Sequence, residues 1–445
     1  MQIPDYVAKT LLTLETAGYE ARLVGGCVRD ALLGFVPQDY DICTNAQPEQ
    51  IKSCFSGMHL VLSGEKHGTV GVLLSGHEVE ITTYRRESAY TDHRHPEKVV
   101  FLPSLTGDLS RRDFTVNAMA MDIRGTLFDP FDGERDLHHN ILRTVGDPTA
   151  RFEEDALRIL RGLRFASRLG FSIDPPTARA MLACRELLQN ISGERILSEL
   201  RGLLLGPQAG LVLEAYGSVL TGAIPEIAPS LGFPHGNRHH IYDVWTHTCR
   251  AIAFSPVDFT VRMALLLHDL GKPKALYVQE GRRRFTGHPL ISRRLAEGIL
   301  ARLHPPAVLR EQVLFLVEHH DDVPPRTPEA LGHFLLAHGE KMLLLLYAVM
   351  EGDALAHSDY GKASKLQVLE PSRALYAACR ERGAAMDLGK LAISGREILA
   401  AGVAPGPRVK LCLEHLFFRQ LSGELPNTSA ALKEALTSAL AGGML

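Results

Sequence analysis

The spacing of apolar residues predicts a small sheet in the first third of the chain and helices through most of the rest. Residues 4–18 follow the 3.6-residue period of an amphipathic helix. The apolar side of this helix carries Val7, Leu11, Leu12 and Leu14. The segment therefore predicts a first helix that buries one face.

Short apolar or alternating runs after this helix predict β-strands. They lie at 21–24, 40–43, 69–74 and 78–83, and Ser75-Gly76-His77 between the last two is typical of a hairpin turn. From Arg151 onward helical periodicity replaces the strand signals. The simplest fold that fits is α+β: a mixed sheet with helices on one side, followed by a mostly α-helical remainder.

A glycine pair and two nearby carboxylates carry the first chemical signal. Gly25 and Gly26 lead into a predicted helix, and glycines let backbone N–H groups approach phosphate oxygens. Asp39 and Asp41 flank Tyr40 on a predicted strand, where alternate side chains point to the same face. Two carboxylates that face one point suit a divalent cation such as Mg²⁺. Each pattern alone is common in turns and on solvated strands, but their order along the chain indicates a phosphate cradle beside a metal site.

Composition narrows the class of protein. The 445 residues are 45% hydrophobic and 22% charged, which is typical of a globular protein with two to four domains. The seven cysteines lack C-x-x-C spacing, which argues against a disulfide framework or a zinc ribbon and fits a reducing cytosol. No G-x-G-x-x-G or G-x-x-x-x-G-K-[ST] motif occurs, so neither a dinucleotide site nor a P-loop is predicted. With a net charge of −3, any contact with nucleic acid depends on local arginine clusters.

At this point the chain resembles the polymerase-β-type nucleotidyltransferases, in particular the bacterial-type (class II) tRNA CCA-adding enzymes and their poly(A) polymerase relatives. The resemblance implies a third carboxylate, Glu80, which lies between the apolar residues Val79 and Ile81 and therefore on the opposite face of the strand. With Asp39 and Asp41 it would form the catalytic site and hold two Mg²⁺ ions. One ion would lower the pKa of an attacking 3′-hydroxyl, and the other would stabilise charge on the α-phosphate and pyrophosphate.

The segment 111–118 matches the second signature of the family. By resemblance, Arg112 contacts the nucleotide, while Asp113 and Asn117 organise its ribose end. The resemblance also assigns nucleotide contact to three residues of the first motif: Gly25, Gly26 and Arg29.

A stripe of arginines follows in the predicted helical region. Steps of three, three and four residues place Arg158, Arg161, Arg164 and Arg168 on one helix face, with Asp155 one turn before the first. Only the three acids at the start of this helix offset their charges. A fixed Asp155–Arg158 pair offers donors and acceptors in a plane, enough to read the edge of a nucleobase. By resemblance this pair selects CTP or ATP without a nucleic-acid template, and Arg161 and Arg164 contact the triphosphate or order the template.

Two further segments bear on this reaction. Residues 87–96 are polar and turn-rich, and the resemblance places there a flexible loop that is needed to add the terminal A. Its full length favours complete CCA addition, or A-only addition, over CC addition. Residues 194–200 resemble the family's last motif near the head, a helix that braces the template, and a structural role is predicted for them.

The second half of the chain contains many of the twenty histidines. Their order resembles the HD phosphohydrolase signature, in which an adjacent His and Asp bind one metal. The implied ligands are His247, His268, Asp269 and Asp353, with His288 and His320 as additional histidines. Two interpretations stay open. One is a phosphohydrolase that uses Mg²⁺ or a divalent transition metal on phosphomonoesters or 2′,3′-cyclic phosphate ends; the other is an HD-fold body that packs against tRNA without turnover.

These signals together predict four domains and one principal activity. The domains are a nucleotidyltransferase head (1–140), a helical neck with the nucleotide-selecting template (141–231), an HD-type helical domain (232–360) and a helical tail that could contact tRNA (361–445). The predicted activity is template-independent addition of C, C and A to tRNA 3′ ends from CTP and ATP. The alternatives are an A-adding enzyme or poly(A) polymerase on the same head, and an HD phosphohydrolase with an RNA-binding head.

The sequence also carries an expectation about location. No secretion signal is recognised at the N-terminus, and the longest apolar run, at 342–350, is too short to span a bilayer. We therefore expect a cytoplasmic protein without a membrane partner.

Overall fold

The chain divides once, after Pro225, into the units Met1–Pro225 and Glu226–Leu445. A computed structural model describes residues 3–87, 99–101 and 104–442. The predicted loop at 87–96 lies outside the described residues, apart from position 87. The division into four domains stays a prediction, because the structure divides the chain into two units only.

The first unit contains a mixed sheet. Its strands are β1 (Ala21–Val24), β2 (Asp41–Thr44), β3 (His59–Val61), β4 (Thr69–Leu74), β5 (His77–Thr83), β6 (Arg85–Glu87), β7 (Val99–Phe101), β8 (Ala120–Met121), β9 (Leu127–Phe128), β10 (Ile141–Leu142) and β11 (Ser172–Ile173). Seven of them form one sheet in the order β3-β4-β5-β2-β1-β8-β9. Within this sheet β2 and β5 run parallel, and the other described neighbours are antiparallel. The remaining strands form two pairs, β6 with β7 and β10 with β11.

Helices make up most of the rest of this unit. The α-helices are α1 (Asp5–Thr16), α2 (Gly26–Leu32), α3 (Pro48–Cys54), α4 (Leu105–Ser110), α5 (Gly133–His138), α6 (Pro148–Glu154), α7 (Leu157–Leu169), α8 (Pro175–Cys184), α9 (Gly193–Leu204) and α10 (Ala209–Leu220). Short 3₁₀ helices span Glu65–His67, Thr115–Asn117 and Arg185–Asn190. One core cluster joins the sheet to the segments that follow it, and it includes Val24, Cys43, Leu109 and Ala120. This cluster fixes the strands of the predicted site against the 104–145 region.

The strand predictions are confirmed, with shifts of one residue at two of the strands. The turn between β4 and β5 is also confirmed: Ser75 and Gly76 have φ values of 52° and 82°, the left-handed pair that a type I′ hairpin turn requires. The prediction for Leu12 is wrong, because this side chain is 49% exposed. Helix α1 buries a narrow stripe centred on Leu11 next to β1 and β5, and Leu12 lies beside that stripe.

The second unit is almost entirely helical. Its α-helices are α11 (Val244–Phe254), α12 (Phe259–Leu267), α13 (Lys272–Ala275), α14 (His288–Leu303), α15 (Ala307–His319), α16 (Pro328–Leu355), α17 (Asp359–Glu381), α18 (Gly395–Ala400), α19 (Pro407–Ser422) and α20 (Ser429–Ala441). Strands β12 (Tyr277–Gln279) and β13 (Arg282–Arg284) form a hairpin, and 3₁₀ helices span Pro225–Ser230 and Leu388–Lys390.

Among the described helices, α16 alone is long and apolar enough to cross a membrane. Core helices pass the same test, and α16 contacts α11, α12, α17 and α19 of its own unit. Gly339, with φ at 78°, also interrupts its helical geometry. We interpret α16 as a core helix.

Candidate functional site

The three predicted carboxylates lie on or next to the two parallel strands in the middle of the sheet. In the register of β2 and β5, Asp41 lies directly opposite Glu80. Both side chains are exposed, whereas their neighbours Tyr40 and Ile81 are buried. Asp39 precedes the first residue of β2 and is also exposed. The alternation expected from the sequence is therefore present for Asp41 and Glu80, which lie on one side of the sheet. The expected strand position of Asp39 is wrong, because Asp39 lies in a bend before β2, but its charge still acts on both other acids.

The folded structure makes ionisation of Asp41 and Glu80 harder than in water. Loss of surrounding water raises the pKa of Asp41; the charge of Arg112 opposes this rise, while that of Asp39 adds to it. Loss of water also raises the pKa of Glu80, and the neighbouring charges of Asp41, Glu78 and Asp39 add to the effect. A divalent cation would relieve this repulsion, and carboxylate oxygens are the donors that Mg²⁺ prefers. The residues therefore fit the predicted metal.

We expect Glu80→Gln to stabilise the metal-free protein while it abolishes nucleotide addition. Folding raises the pKa of Glu80. The ionised carboxylate therefore lowers the free energy of unfolding once the pH exceeds the pKa of Glu80 in the unfolded chain, and the full loss is reached above its pKa in the folded chain. Glutamine has no charge, so the variant avoids this loss. Thermal unfolding in EDTA measures the effect. The gain in melting temperature should appear at neutral pH and vanish at about pH 4. A variant that melts below the parent protein at neutral pH would contradict the predicted repulsion.

Arg112 lies against the glycine turn that begins α2. Gly25 has a φ of 78°, and a Cβ atom at this position would lie 2.8 Å from Nη1 of Arg112. A side chain at Gly25 would therefore displace the guanidinium group. Loss of surrounding water raises the pKa of Asp41, and the charge of Arg112 partly offsets this rise. The ion-pair partner of Arg112, Asp108, lies 3.7 Å away. The glycine turn, the arginine and the carboxylates thus belong to one site.

Three of the predicted nucleotide contacts, Arg29, Asp113 and Asn117, are buried and bind one another. Nη1 of Arg29 donates to Oδ1 of Asn117 at 2.6 Å, and Nδ2 of Asn117 donates to Oδ1 of Asp113 at 3.1 Å. The second oxygen of Asp113 accepts from Nε of Arg161 at 2.9 Å. This network ties α2 to the segment that carries the arginine of the site. The structure supports a positioning role for these residues, and their direct contact with a nucleotide stays a prediction.

The side chains of Asp155 and Arg158 do not bind each other, and the continuous helix expected through them is wrong. Their role as a nucleotide-selecting template stays a prediction. The sequence suggested one continuous helix, but α6 ends at Glu154, and Asp155 has the extended dihedrals φ −143° and ψ 102°. The carboxylate of Asp155 accepts from the backbone N–H of Leu157 and from Nη2 of Arg195. Arg158 is buried and donates instead to Glu154 and to two backbone carbonyls. Aspartate favours such breaks because its carboxylate satisfies the free N–H groups of the next helix.

Two arginines of the stripe, Arg161 and Arg164, pair with acids from distant segments, which corrects the expectation that only the three nearby acids offset the stripe. Nε of Arg164 lies 2.8 Å from Glu199 on α9, and Arg161 lies 2.8 Å from Asp113 and 3.7 Å from Glu199. Burial raises the pKa of Glu199 although both arginines lower it, so the pairs form against a desolvation cost. The arginines also lie over the ring of Phe165, at 5.5 and 4.7 Å from its centre. Glu199 falls in the segment 194–200, but its partners are too distant in sequence to be read from the motif.

In the second unit the predicted HD residues form a buried cluster. Nε2 of His247 lies 2.8 Å from Oδ1 of Asp353. Nε2 of His268 lies 3.2 Å from Oδ2 of Asp269 and 3.5 Å from Asp353. Both histidines direct Nδ1 to a backbone carbonyl, which leaves Nε2 facing the carboxylates. Orientation of this kind prepares histidine to bind a metal.

The two additional histidines complete the other side of the cluster. Oδ1 of Asp269 lies 3.3 Å from His288 and 3.9 Å from His320, while its Oδ2 faces His247 and His268. Asp269 thus directs one carboxylate oxygen to His288 and His320 and the other to His247 and His268. Both of its oxygens and Nε2 of His268 are buried without a well-aligned hydrogen bond. Buried donors of this type fit a divalent transition metal or Mg²⁺.

Two lysines that sequence reasoning did not assign also reach this cluster. Nζ of Lys272 lies 2.7 Å from Asp269, and Nζ of Lys365 lies 3.0 Å from Asp353. Burial alone would raise the pKa of both carboxyls, but the histidine and lysine charges around them hold it well below its usual range. Burial would lower the pKa of His268, but Asp269 and Asp353 raise it to about 9. Lys365 lies beyond the HD signature, so no motif in the sequence indicated it.

Family comparisons cover both sites. Residues 21–143 match the Poly A polymerase head domain, residues 170–217 match the probable RNA and SrmB-binding site of polymerase A, and residues 240–358 match the HD domain. With the carboxylates on parallel strands, these matches define a nucleotidyltransferase with a poly(A) polymerase-type head and an HD domain.

Individual relatives specify the family further. The chain is 36% identical over 429 residues to the CCA-adding enzyme of Levilactobacillus brevis, which covers 96% of each chain. It is 42% identical to that of Bacillus licheniformis over 256 residues, 56% of this chain and 64% of the relative. The crystal structure of the Bacillus stearothermophilus CCA-adding enzyme in complex with CTP matches with a TM-score of 0.70 at 30% identity, over 100% of this chain and 99% of that one. The Thermotoga maritima enzyme complexed with tRNA shares the fold, with a TM-score of 0.61 at 19% identity over 99% and 96% of the chains. The chain belongs to the CCA-adding enzymes, and the predicted fold class and enzyme class are confirmed.

Proposed function

We propose that the first unit adds C, C and A to tRNA 3′ ends from CTP and ATP without a nucleic-acid template. The observation that carries this proposal is the placement of Asp41 opposite Glu80, with Arg112 against the glycine turn beside them. Nucleotidyl transfer requires carboxylates for a divalent ion, a cation for phosphate oxygens and a backbone that phosphate can approach. We assign Asp39, Asp41 and Glu80 as the catalytic residues that hold Mg²⁺.

In this reaction the 3′-hydroxyl oxygen of the RNA loses its proton and forms a bond to the α-phosphorus. The bond between that phosphorus and the bridging oxygen breaks, and pyrophosphate leaves. Mg²⁺ supplies a lowered pKa at the hydroxyl and neutralises charge on the triphosphate. Arg112 binds phosphate oxygens, and the positive φ of Gly25 leaves the space in which its guanidinium lies.

Nucleotide choice in this proposal rests on Asp155 and Arg158, supported by Arg161 and Arg164. The side chains of Asp155 and Arg158 do not bind each other, although the backbone N–H of Arg158 donates to the carbonyl of Asp155 at 3.0 Å. Each side chain is held by other partners. Arg195 holds the carboxylate of Asp155, and backbone carbonyls hold Arg158. Fixed polar groups discriminate between bases because a mismatched donor or acceptor is left unpaired.

We expect Asp155→Ala to reduce the preference for CTP and ATP over UTP and GTP by about 10- to 100-fold, the value of one hydrogen bond to a charged group. Single-turnover addition with each nucleotide measures the ratio. The exposed neighbour Glu153 provides the control, as Glu153→Ala should keep the parent ratio. An unchanged ratio in Asp155→Ala would remove this residue from the selection site.

The partners in this proposal are the tRNA 3′ end, CTP and ATP, and the location is the cytoplasm. The head (1–140), neck (141–231), HD-type domain (232–360) and tail (361–445) remain our proposed working parts. Related CCA-adding enzymes crystallised with CTP or tRNA support the choice of substrates.

The HD cluster supports a second function, a metal-dependent phosphohydrolase that acts on phosphomonoesters or 2′,3′-cyclic phosphate ends. The observation in its favour is that every ligand position is filled and converges in one buried cluster. A divalent ion held there supplies a bound water of lowered pKa. Lys272 and Lys365 reach the same carboxylates and can bind phosphate oxygens.

We expect the His268→Ala/Asp269→Ala variant to lose the metal that the parent protein retains at the HD cluster. Elemental analysis after reconstitution with Mn²⁺ and dialysis measures the content. His319→Ala is the control, because His319 lines the same cavity but pairs with Asp322 at its surface. A parent protein that retains no metal would refute the proposed centre.

A further inference from the structure

We infer that the hairpin formed by β12 and β13 holds the single-stranded end of a phosphorylated RNA at the HD cavity. The inference rests on the proposed phosphohydrolase function and deepens it. It names the substrate as an oligoribonucleotide with a terminal phosphate, in preference to a mononucleotide. It also assigns a specificity role to Arg282 and Arg284, which are not part of the metal cluster.

The HD cavity is large and its wall is rich in cations. Its volume is about 1070 Å³, at the upper end of the range for sites that enclose a small ligand. Residues of the metal cluster, including His288, His320 and Asp353, line this cavity. Six basic residues also line it: Arg238, Lys272, Arg282, Arg283, Arg284 and Lys365. The cavity therefore suits an anionic ligand that extends beyond the metal cluster.

The charges of Arg282 and Arg284 have no partner acid within the described residues. Lysine and arginine side chains already neutralise three acids of the wall, Glu318, Asp321 and Asp353. In contrast, Arg282 and Arg284 are exposed and have no ion-pair partner among residues 3–87, 99–101 and 104–442. The backbone positions of two residues i and i+2 on a strand lie about 6.7 Å apart, so these two free arginines can reach successive phosphates of one nucleic-acid strand.

The residue between these two arginines anchors the hairpin. Nη1 of Arg283 donates to the carbonyl of Pro234 at 2.7 Å. A Cβ atom at Gly236 would lie 2.9 Å from Cδ of Arg283, so glycine leaves room for this side chain. Because side chains alternate along a strand, Arg282 and Arg284 point to the opposite face from Arg283. They are left for a ligand while the hairpin stays in place.

An aromatic side chain shares the face of the two free arginines. Tyr277 pairs with Arg284 across the hairpin, and Gln279 pairs with Arg282. Tyr277 is 43% exposed. Arginine for phosphates and an exposed aromatic ring for bases are the two features of surfaces that bind single-stranded RNA. A mononucleotide would place its only phosphate at the metal cluster and leave these arginines without a partner, whereas an RNA strand supplies both phosphates and bases.

The test compares two substrates at the HD site of the full-length protein with Mn²⁺. One is a 3′-phosphorylated RNA of about six nucleotides, and the other is a nucleoside 3′-monophosphate; phosphate release is measured for both. We expect Arg282→Gln/Arg284→Gln to raise KM for the RNA about tenfold, with kcat and the mononucleotide kinetics unchanged. The slope of log KM against the logarithm of the salt concentration should decrease by about 1.4, which is about 0.7 for each phosphate contact removed.

Arg294→Gln/Arg396→Gln is the matched control. It removes the same charge from exposed positions of α14 and α18 that do not line the cavity, and it should leave both substrates unaffected. Equal use of both substrates by the parent protein, or an unchanged KM for RNA in the hairpin variant, would overturn the inference.

Crosslinking separates this inference from the phosphohydrolase proposal. The same RNA, with 4-thiouridine near its 3′ end, is irradiated with the full-length protein, and the crosslinked peptide is identified by mass spectrometry. A crosslink at 277–284 without phosphate release would refute the hydrolase and support the hairpin. Phosphate release with crosslinks only elsewhere would refute the hairpin and support the hydrolase.

Discussion

The Asp39→Asn/Asp41→Asn variant is expected to lose nucleotide addition by at least about 10³-fold, which corresponds to about 4 kcal/mol of transition-state stabilisation. Asparagine keeps the shape of each side chain but removes the charge that holds Mg²⁺. Binding of tRNA should be largely retained, because phosphate contacts carry most of the affinity for nucleic acid. Single-turnover addition and filter binding on the same preparations measure the two effects.

A surface acid of the same unit provides the control for this variant. Glu49→Gln removes a charge from an 80% exposed side chain that pairs with Lys52, and its activity should match that of the parent protein. Residual addition by the double variant together with lost tRNA binding would contradict the assignment of Asp39 and Asp41 to catalysis. Nucleotide addition by the double variant that still increases with Mg²⁺ concentration as in the parent protein would also contradict this assignment.

Asp113→Asn is expected to destabilise the first unit by about 3 kcal/mol, because it leaves the guanidinium of Arg161 without its buried partner. Asp113 is 8% exposed, and its carboxylate binds Arg161, Asn117 and the N–H of Phe114. Burial would raise its pKa, but Arg161 and these hydrogen bonds lower it. The ionised carboxylate of Asp113 therefore stabilises the folded unit at pH values above its pKa in the unfolded chain. This stabilisation is lost as the pH falls through its pKa in the folded chain.

Chemical denaturation at neutral pH and at about pH 3 measures this contribution, and the difference between variant and parent should shrink at the lower pH. Asp5→Asn, at an exposed position of α1, is the control and should change stability by less than about 0.5 kcal/mol. If Asp113→Asn were as stable as the parent protein at neutral pH, the buried network would not be what fixes α2. Nucleotide addition by the variant should also fall, since this network connects the glycine turn with Arg112.

Local rules account for the positions of two of the three carboxylates. Alternation along a strand is enough to place Asp41 and Glu80 on one face, away from their apolar neighbours, but it does not place Asp39, which lies before β2. The HD cluster was predicted for a different reason, the order of histidines along the chain. Resemblance supplied the family, and neither periodicity nor spacing would have done so.

The parts that sequence reasoning missed depend on contacts between distant segments. Arg29 and Asn117 are 88 positions apart, and nothing in either motif shows that they bind each other. The continuous helix expected through Asp155 and Arg158 is wrong, because α6 ends at Glu154 and Asp155 takes an extended conformation. Lys365 reaches the HD cluster from α17, which lies outside the matched HD region.

The alternatives left open by the sequence now differ in support. Full-length similarity to a CCA-adding enzyme favours CCA addition over an A-adding enzyme or a poly(A) polymerase. The intact carboxylate site argues against a head that only binds RNA, because a binding module has no need of acids whose ionisation is unfavourable.

The most direct test of the central claim uses three tRNA transcripts that end at the discriminator base, at C and at CC. Each is incubated with Mg²⁺ and with CTP, ATP or both, and the products are resolved at single-nucleotide resolution. We predict that all three transcripts reach CCA and stop there. Extension of the CC-ended transcript alone would show an A-adding enzyme, long A tails would show a poly(A) polymerase, and either result would contradict the proposed function.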